Sequence, residues 1–249
     1  MSGHSKWATI KRKKAVVDSA RGKIFTRIIK EITVASREGG GNPDTNAQLR
    51  SVITKAKEEN MPAENIKKAI QRGTGELPGV IYEEIIYEGY GPSGVAIMVK
   101  ALTDNKKRTA ADIRSIFSKC GGNLGETGCV SWIFQKKGFI AIDRVKASED
   151  EVISIALESG ALDVKTEEST YDITTTPGDL DKVKEAFSSK GITPSVAEVT
   201  QIPSNYIKLD GKEAEQLLNL LELLEENEDV QNVYANFDIP DKIIEARTK

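Results

Sequence analysis

The chain has 249 residues, 39% of them hydrophobic and 29% charged, with a formal net charge of −3. That length accommodates two or three domains of roughly 100–150 residues each. No apolar run approaches the ~20 residues of a bilayer span, and the N-terminus lacks the apolar core of a secretory signal.

Two cysteines, Cys120 and Cys129, are too few for a disulfide scaffold and are expected as free thiols in a reducing cytosol. One histidine, His4, cannot complete the three or four soft or imidazole ligands that zinc requires. No metal or other cofactor is expected.

The charge is unevenly spread. Residues 1–37 hold ten Lys and Arg against two acids, a net +8, whereas residues 76–249 carry −12. Lys6, Lys11, Arg12, Lys13, Lys14 and Arg21, with Trp7 among them, suit a phosphate backbone. Cations displace condensed counterions and an indole can stack on a base. The plainer alternative is a solvated basic arm on a helical domain.

In chain order, residues 22–37 read as an amphipathic helix with Ile24, Phe25, Ile28, Ile29 and Ile32 on its apolar stripe. Lys23, Arg27, Lys30 and Arg37 fall at i, i+4, i+7 and i+14, a basic ridge on another face. The run Gly39-Gly40-Gly41-Asn42-Pro43 ends this helix. Helices over 45–59 and after Pro62 follow, stopped by Gly73-Thr74-Gly75, and 76–79 reads as a linker.

Beyond it, strands are expected over 82–88 and 94–102, a helix over 107–119, and a strand over 129–134. From Gly138 the order is strand 139–142, helix 148–159, hairpin 162–167 and 170–175, helix 179–190 and strand 195–201. That βαββαβ order is the ferredoxin-like arrangement. A strand over 206–209, a Leu-rich helix over 212–226 and a strand over 230–237 are expected to complete the sheet begun at Tyr82. The fold class is therefore α+β. Its expected units are 1–79, a discontinuous 80–135 with 204–249, and a ferredoxin-like insertion over 136–203.

Lys106, Lys107 and Arg108 stand in a first helical turn, where cations oppose the macrodipole at about 0.3–1 kcal/mol each. An anion shared with the helix N-terminal amides would explain them, making a second phosphate contact. A solvated turn with Asp104 offsetting the charge is the alternative. The glycine loop over 121–128 follows a helix and precedes a strand, so it is not a nucleotide cradle. A catalytic triad could use only His4, and adjacent acids such as Glu83-Glu84 read as exposed charge. A hydrolase or nuclease with an unseen acidic site is the remaining enzymatic reading.

The segments over 3–32, 60–76, 87–99 and 102–134, beginning GHSKWATIKRKKAVVDSARGKIF and ending GGNLGETGCVSWIF, resemble the YebC/PmpR family. The family also includes the mitochondrial translational activator of cytochrome oxidase. The resemblance spans essentially the whole chain. It implies a helical N-terminal domain, an α+β domain with a ferredoxin-like insertion, a cytoplasmic location and a non-enzymatic role in regulating gene expression. Some members act as DNA-binding regulators, others as ribosome-bound translation factors that ease synthesis through proline-rich stretches. The expected partner is nucleic acid, DNA or ribosomal RNA, with the ribosome as its alternative setting and no membrane. No helix-turn-helix recognition helix is evident, and the sequence carries no sign of the oligomeric state.

Overall fold

The computed structural model describes residues 18–240 and residue 243, with side chains from residue 22 onward. The fold is α+β with a helical N-terminal region. Helices α1 (Asp18–Gly39), α2 (Ala47–Glu58) and α3 (Ala63–Thr74) each carry apolar residues at helical spacing. Ile28, Ile32 and Ala35 of α1 pack with Leu49 and Ala56 of α2 and with Ile66 and Ala69 of α3. Helix α3 approaches α1 so closely that a Cβ on Gly73 would stand 2.5 Å from the Thr33 carbonyl oxygen.

Asn46, buried between two helix ends, serves both. Its Oδ1 accepts the Leu49 N–H at 3.0 Å, capping α2. Its Nδ2 donates to the Ala35 and Gly40 carbonyls at 2.8 and 2.9 Å, closing α1. Asn46→Ala should therefore lower the unfolding free energy by about 2–3 kcal/mol in urea denaturation. Asn46→Ser, able to keep only the α2 cap, should lose less.

Past residue 82 the chain runs β1 (Glu83–Tyr90), β2 (Ala96–Thr103), α4 (Lys106–Lys119), β3 (Asn123–Leu124), β4 (Phe134–Asp143), α5 (Glu149–Ser159), β5 (Asp163–Thr166), β6 (Thr170–Thr175), α6 (Leu180–Ser189), β7 (Val196–Pro203), β8 (Ile207–Lys208), α7 (Gly211–Glu226), β9 (Val230–Ala235) and β10 (Phe237–Asp238). The first sheet has the order β3-β1-β2-β9 and is antiparallel. Val95, Ile97 and Val99 meet Ile113 and Phe117 of α4 and Leu217 and Leu221 of α7 in its core. The second sheet has the order β5-β6-β4-β7 and is also antiparallel. With α5 and α6 on one face, through Val152, Val183 and Phe187 on Ile140, Ile142 and Ile173, it has the ferredoxin-like arrangement.

Two elements differ from the sequence reading. Residues 129–134 are not a strand: Ser131–Ile133 form a 3-10 turn, and one continuous strand, β4, starts at Phe134. The backbone N–H groups that a strand would offer a neighbour are taken instead by the Glu88 carboxylate. Residues around 207 do not join the first sheet: β8 pairs in parallel with β10 as a separate ribbon, and β9 alone fills the place beside β2. The ladder breaks at Asn236, whose Oδ1 accepts the Ala96 N–H at 2.7 Å in place of a strand carbonyl.

Candidate nucleic-acid interface

Lys6, Trp7, Lys11, Arg12, Lys13 and Lys14, like His4, lie outside the described residues, as does the side chain of Arg21. Lys23, on the first turns of α1, is exposed. Two residues of the expected ridge are not. Lys30 is 6% exposed and its Nζ stands 2.7 Å from Asp229 Oδ1. It also donates to the carbonyls of Glu228 (3.0 Å) and Leu102 (3.4 Å) and lies 5.4 Å from the centre of the Tyr82 ring. Arg27 donates through Nη2 to the Glu225 carbonyl, and burial lowers its pKa against the opposing pull of Glu225 and Glu31.

The expectation that Arg27 and Lys30 contact phosphate is thereby corrected. They fasten α1 to the acidic body. Helix α7 has no basic residue in its own last turn, so its carbonyls and the negative end of its dipole are met by cations from α1.

Asp229 is the centre of this joint. Its Oδ2 accepts Thr109 Oγ1 at 2.7 Å, Arg108 Nη2 at 2.9 Å and Thr103 Oγ1 at 3.2 Å, while Oδ1 takes Lys30. Burial alone would push its carboxyl up; the hydrogen bonds from Arg108, Lys30 and Thr109 together outweigh that and hold the pKa at about 2. Asp229 escapes the sequence reading because it stands at the end of an acidic run, Glu225-Glu226-Asn227-Glu228-Asp229, with no periodic signal to set it apart. The pair-forming lysine lies 199 positions earlier.

The same geometry corrects the reading of the α4 N-terminus. Arg108 pairs with Asp104 and Asp229, both at 2.9 Å, and Lys106 pairs with Glu83 at 2.5 Å. Asn105 caps the helix by accepting the Arg108 N–H at 3.1 Å. Carboxylates thus compensate the cations of this turn. Lys107, exposed, makes no ion pair among the described residues. Among the described cations singled out, Lys23, Arg37 and Lys107 are exposed.

Among the described residues no helix is long and apolar enough to cross a membrane, and no group of His, Cys, Asp and Glu is arranged to hold a metal ion. Both cysteines are free thiols.

Two family models match almost end to end: the TACO1/YebC protein N-terminal domain over residues 5–76 and the TACO1/YebC second and third domain over residues 82–237. The chain belongs to the TACO1/YebC family. It is 56% identical to a "Probable transcriptional regulatory protein" of Dictyoglomus turgidum over 247 residues, 99% of each chain. It is 58% identical to a protein of the same description from Syntrophus aciditrophicus over 98% of each. The crystal structure of a conserved hypothetical protein from Aquifex aeolicus shares the fold, with a TM-score of 0.80 at 48% identity, covering 91% of this chain and 93% of that one.

Proposed function

We propose that the protein is a non-enzymatic, cytoplasmic regulator of gene expression that binds nucleic acid, as a transcriptional regulator on DNA, through cations at its N-terminus. Lys6, Lys11, Arg12, Lys13, Lys14, Arg21 and Lys23 grip phosphates, with Trp7 stacking and Lys107 as an outlying contact. We further propose that 1–79, 80–135 with 204–249, and 136–203 are its three folding units.

The observation that carries this reading is the use of charge along α1. Arg27 and Lys30 are consumed in anchoring the helix, whereas Lys23, a turn ahead on the same helix, is exposed. The relatives described as transcriptional regulatory proteins support a regulatory role.

Ribosomal RNA is the second reading. A run of lysines supplies phosphate contacts, which position a protein without reading sequence, and suits RNA as well as a duplex. Ribosome co-sedimentation in the presence of a promoter fragment separates the two. Displacement from ribosomes by the DNA is expected. Co-migration that promoter DNA fails to displace would replace the transcriptional reading with the translational one.

A further inference from the structure

The loop leading into β4 is stitched down by one face of β1. Glu88 and Tyr90 are two residues apart on that strand and project to the same side. The Glu88 carboxylate, 3% exposed, accepts the N–H groups of Gly128, Val130 and Ser131, each at 2.8 Å. The Tyr90 hydroxyl donates to the Cys129 carbonyl at 3.0 Å, and Trp132 Nε1 donates to the same oxygen at 3.0 Å. Below, Val130, Ile133 and Phe134 are packed with Ala96 and Met98. The loop starts against the same strand, where the Gly125 N–H donates to the Glu88 carbonyl at 2.8 Å.

All of this support ends on an exposed indole. Trp132 is 71% exposed and Tyr90 38%. Trp is the residue with most to gain from burial, yet here its one polar group is already spent on the backbone. What it presents to water is a flat π face held in a fixed direction. A partner gains no hydrogen bond from that ring and must use it by stacking. The exposed residues nearest in sequence are Glu126, Thr127, Gly128, Gln135 and Lys136, with one acid and one cation among them. An apolar protein surface would find no continuous patch in that stretch, whereas an unpaired base needs only the face of the ring.

The geometry points to Trp132, backed by Tyr90, as a stacking platform for an unpaired base of a single-stranded or looped nucleic acid. The inference rests on the nucleic-acid reading above and narrows its ligand. In a duplex the faces of the bases are already stacked, so the platform selects strands whose bases are free.

The test uses the full chain with Trp7→Phe, which leaves Trp132 as the single indole, and all comparisons are made in that background. A single-stranded adenine RNA oligonucleotide is titrated while indole emission and the anisotropy of the labelled strand are followed together. Quenching should saturate along the anisotropy curve, and a duplex of matched length should leave emission unchanged. Trp132→Leu should weaken single-strand binding roughly 5- to 150-fold with an unaltered salt slope, and Trp132→Phe should retain most of the affinity. The ring is exposed, so the melting temperature of either variant should match the parent. Binding seen by anisotropy with silent Trp132 emission and undiminished affinity of Trp132→Leu would overturn the platform alone. Quenching by a proline-rich peptide but not by the oligonucleotide would assign the surface to a protein ligand and also overturn it. No binding by any strand, in this background and in the unsubstituted chain alike, would remove the nucleic-acid reading along with it.

Discussion

Replacing Asp229 with alanine should lower the unfolding free energy by about 3–5 kcal/mol. The cause is what it leaves behind. Lys30, 6% exposed, would keep only two carbonyls to face its charge, while Thr103 and Thr109 would each be deprived of an acceptor. Removing one member of a buried pair costs far more than the net value of the pair, because a charge stays out of water unmatched. Lys30→Met combined with Asp229→Leu should therefore recover a large part of the loss seen in Asp229→Ala. Urea denaturation of the two single variants and the double variant measures the coupling directly. If Asp229→Ala cost less than about 1 kcal/mol, the joint would be open to water in solution.

The same carboxyl gives a pH signature. Its folded pKa of about 2 lies below the ordinary value of 3.8. The stabilisation it brings is therefore complete above the unfolded pKa and is lost as pH falls from about 4 through 2. The size is about 2–3 kcal/mol. Glu88, also held below its ordinary value, acts in the same direction: burial alone would raise it, and the N–H groups of Val130, Gly128 and Ser131 prevail. Asp229→Asn should flatten the acid limb of the stability curve between pH 4 and 2.

Changing Lys11, Arg12, Lys13 and Lys14 together to alanine should weaken nucleic-acid binding by a similar factor for every sequence tested. The slope of log K against log salt should become shallower by roughly 0.7–0.9 for each phosphate that is no longer neutralised, or by about 3 for all four. Competition over a series of salt concentrations reads both quantities. Urea denaturation of the same variant reads its stability alongside, which separates the outcome from that of Asp229→Ala. The converse control is Lys30→Met, which should lower stability and leave the salt slope alone. An unchanged slope in the four-residue variant would mean that the run does not touch phosphate.

Much of the architecture is legible in the sequence because local chemistry marks it. Glycines at 39–41, 75, 160 and 191 end helices, Ser148 opens one, and short runs bounded by turn residues give the four strands of the second sheet. The ridge on α1 is legible only as spacing. Periodicity places Lys23, Arg27 and Lys30 on a common side of a helix but cannot say what that side faces. The answer is written in a loop near residue 229, and a pattern read within a few turns cannot reach it. The apolar run at 129–134 misleads for a related reason: a buried carboxylate on β1 competes for its N–H groups, and propensity carries no trace of a competitor 40 residues away. Trp132 falls inside that run, and its exposure follows from the turn that replaces the expected strand.

The clamp across α1 also sets an order of events at birth. Lys30 leaves the ribosome 199 residues before Asp229, roughly 10–40 s earlier at ordinary elongation rates. For that interval Arg27 and Lys30 lack the partners that meet them in the folded chain. Newly synthesised chains are therefore more cationic at their leading end than finished ones, and the last stretch to be translated is the one that brings the first into place.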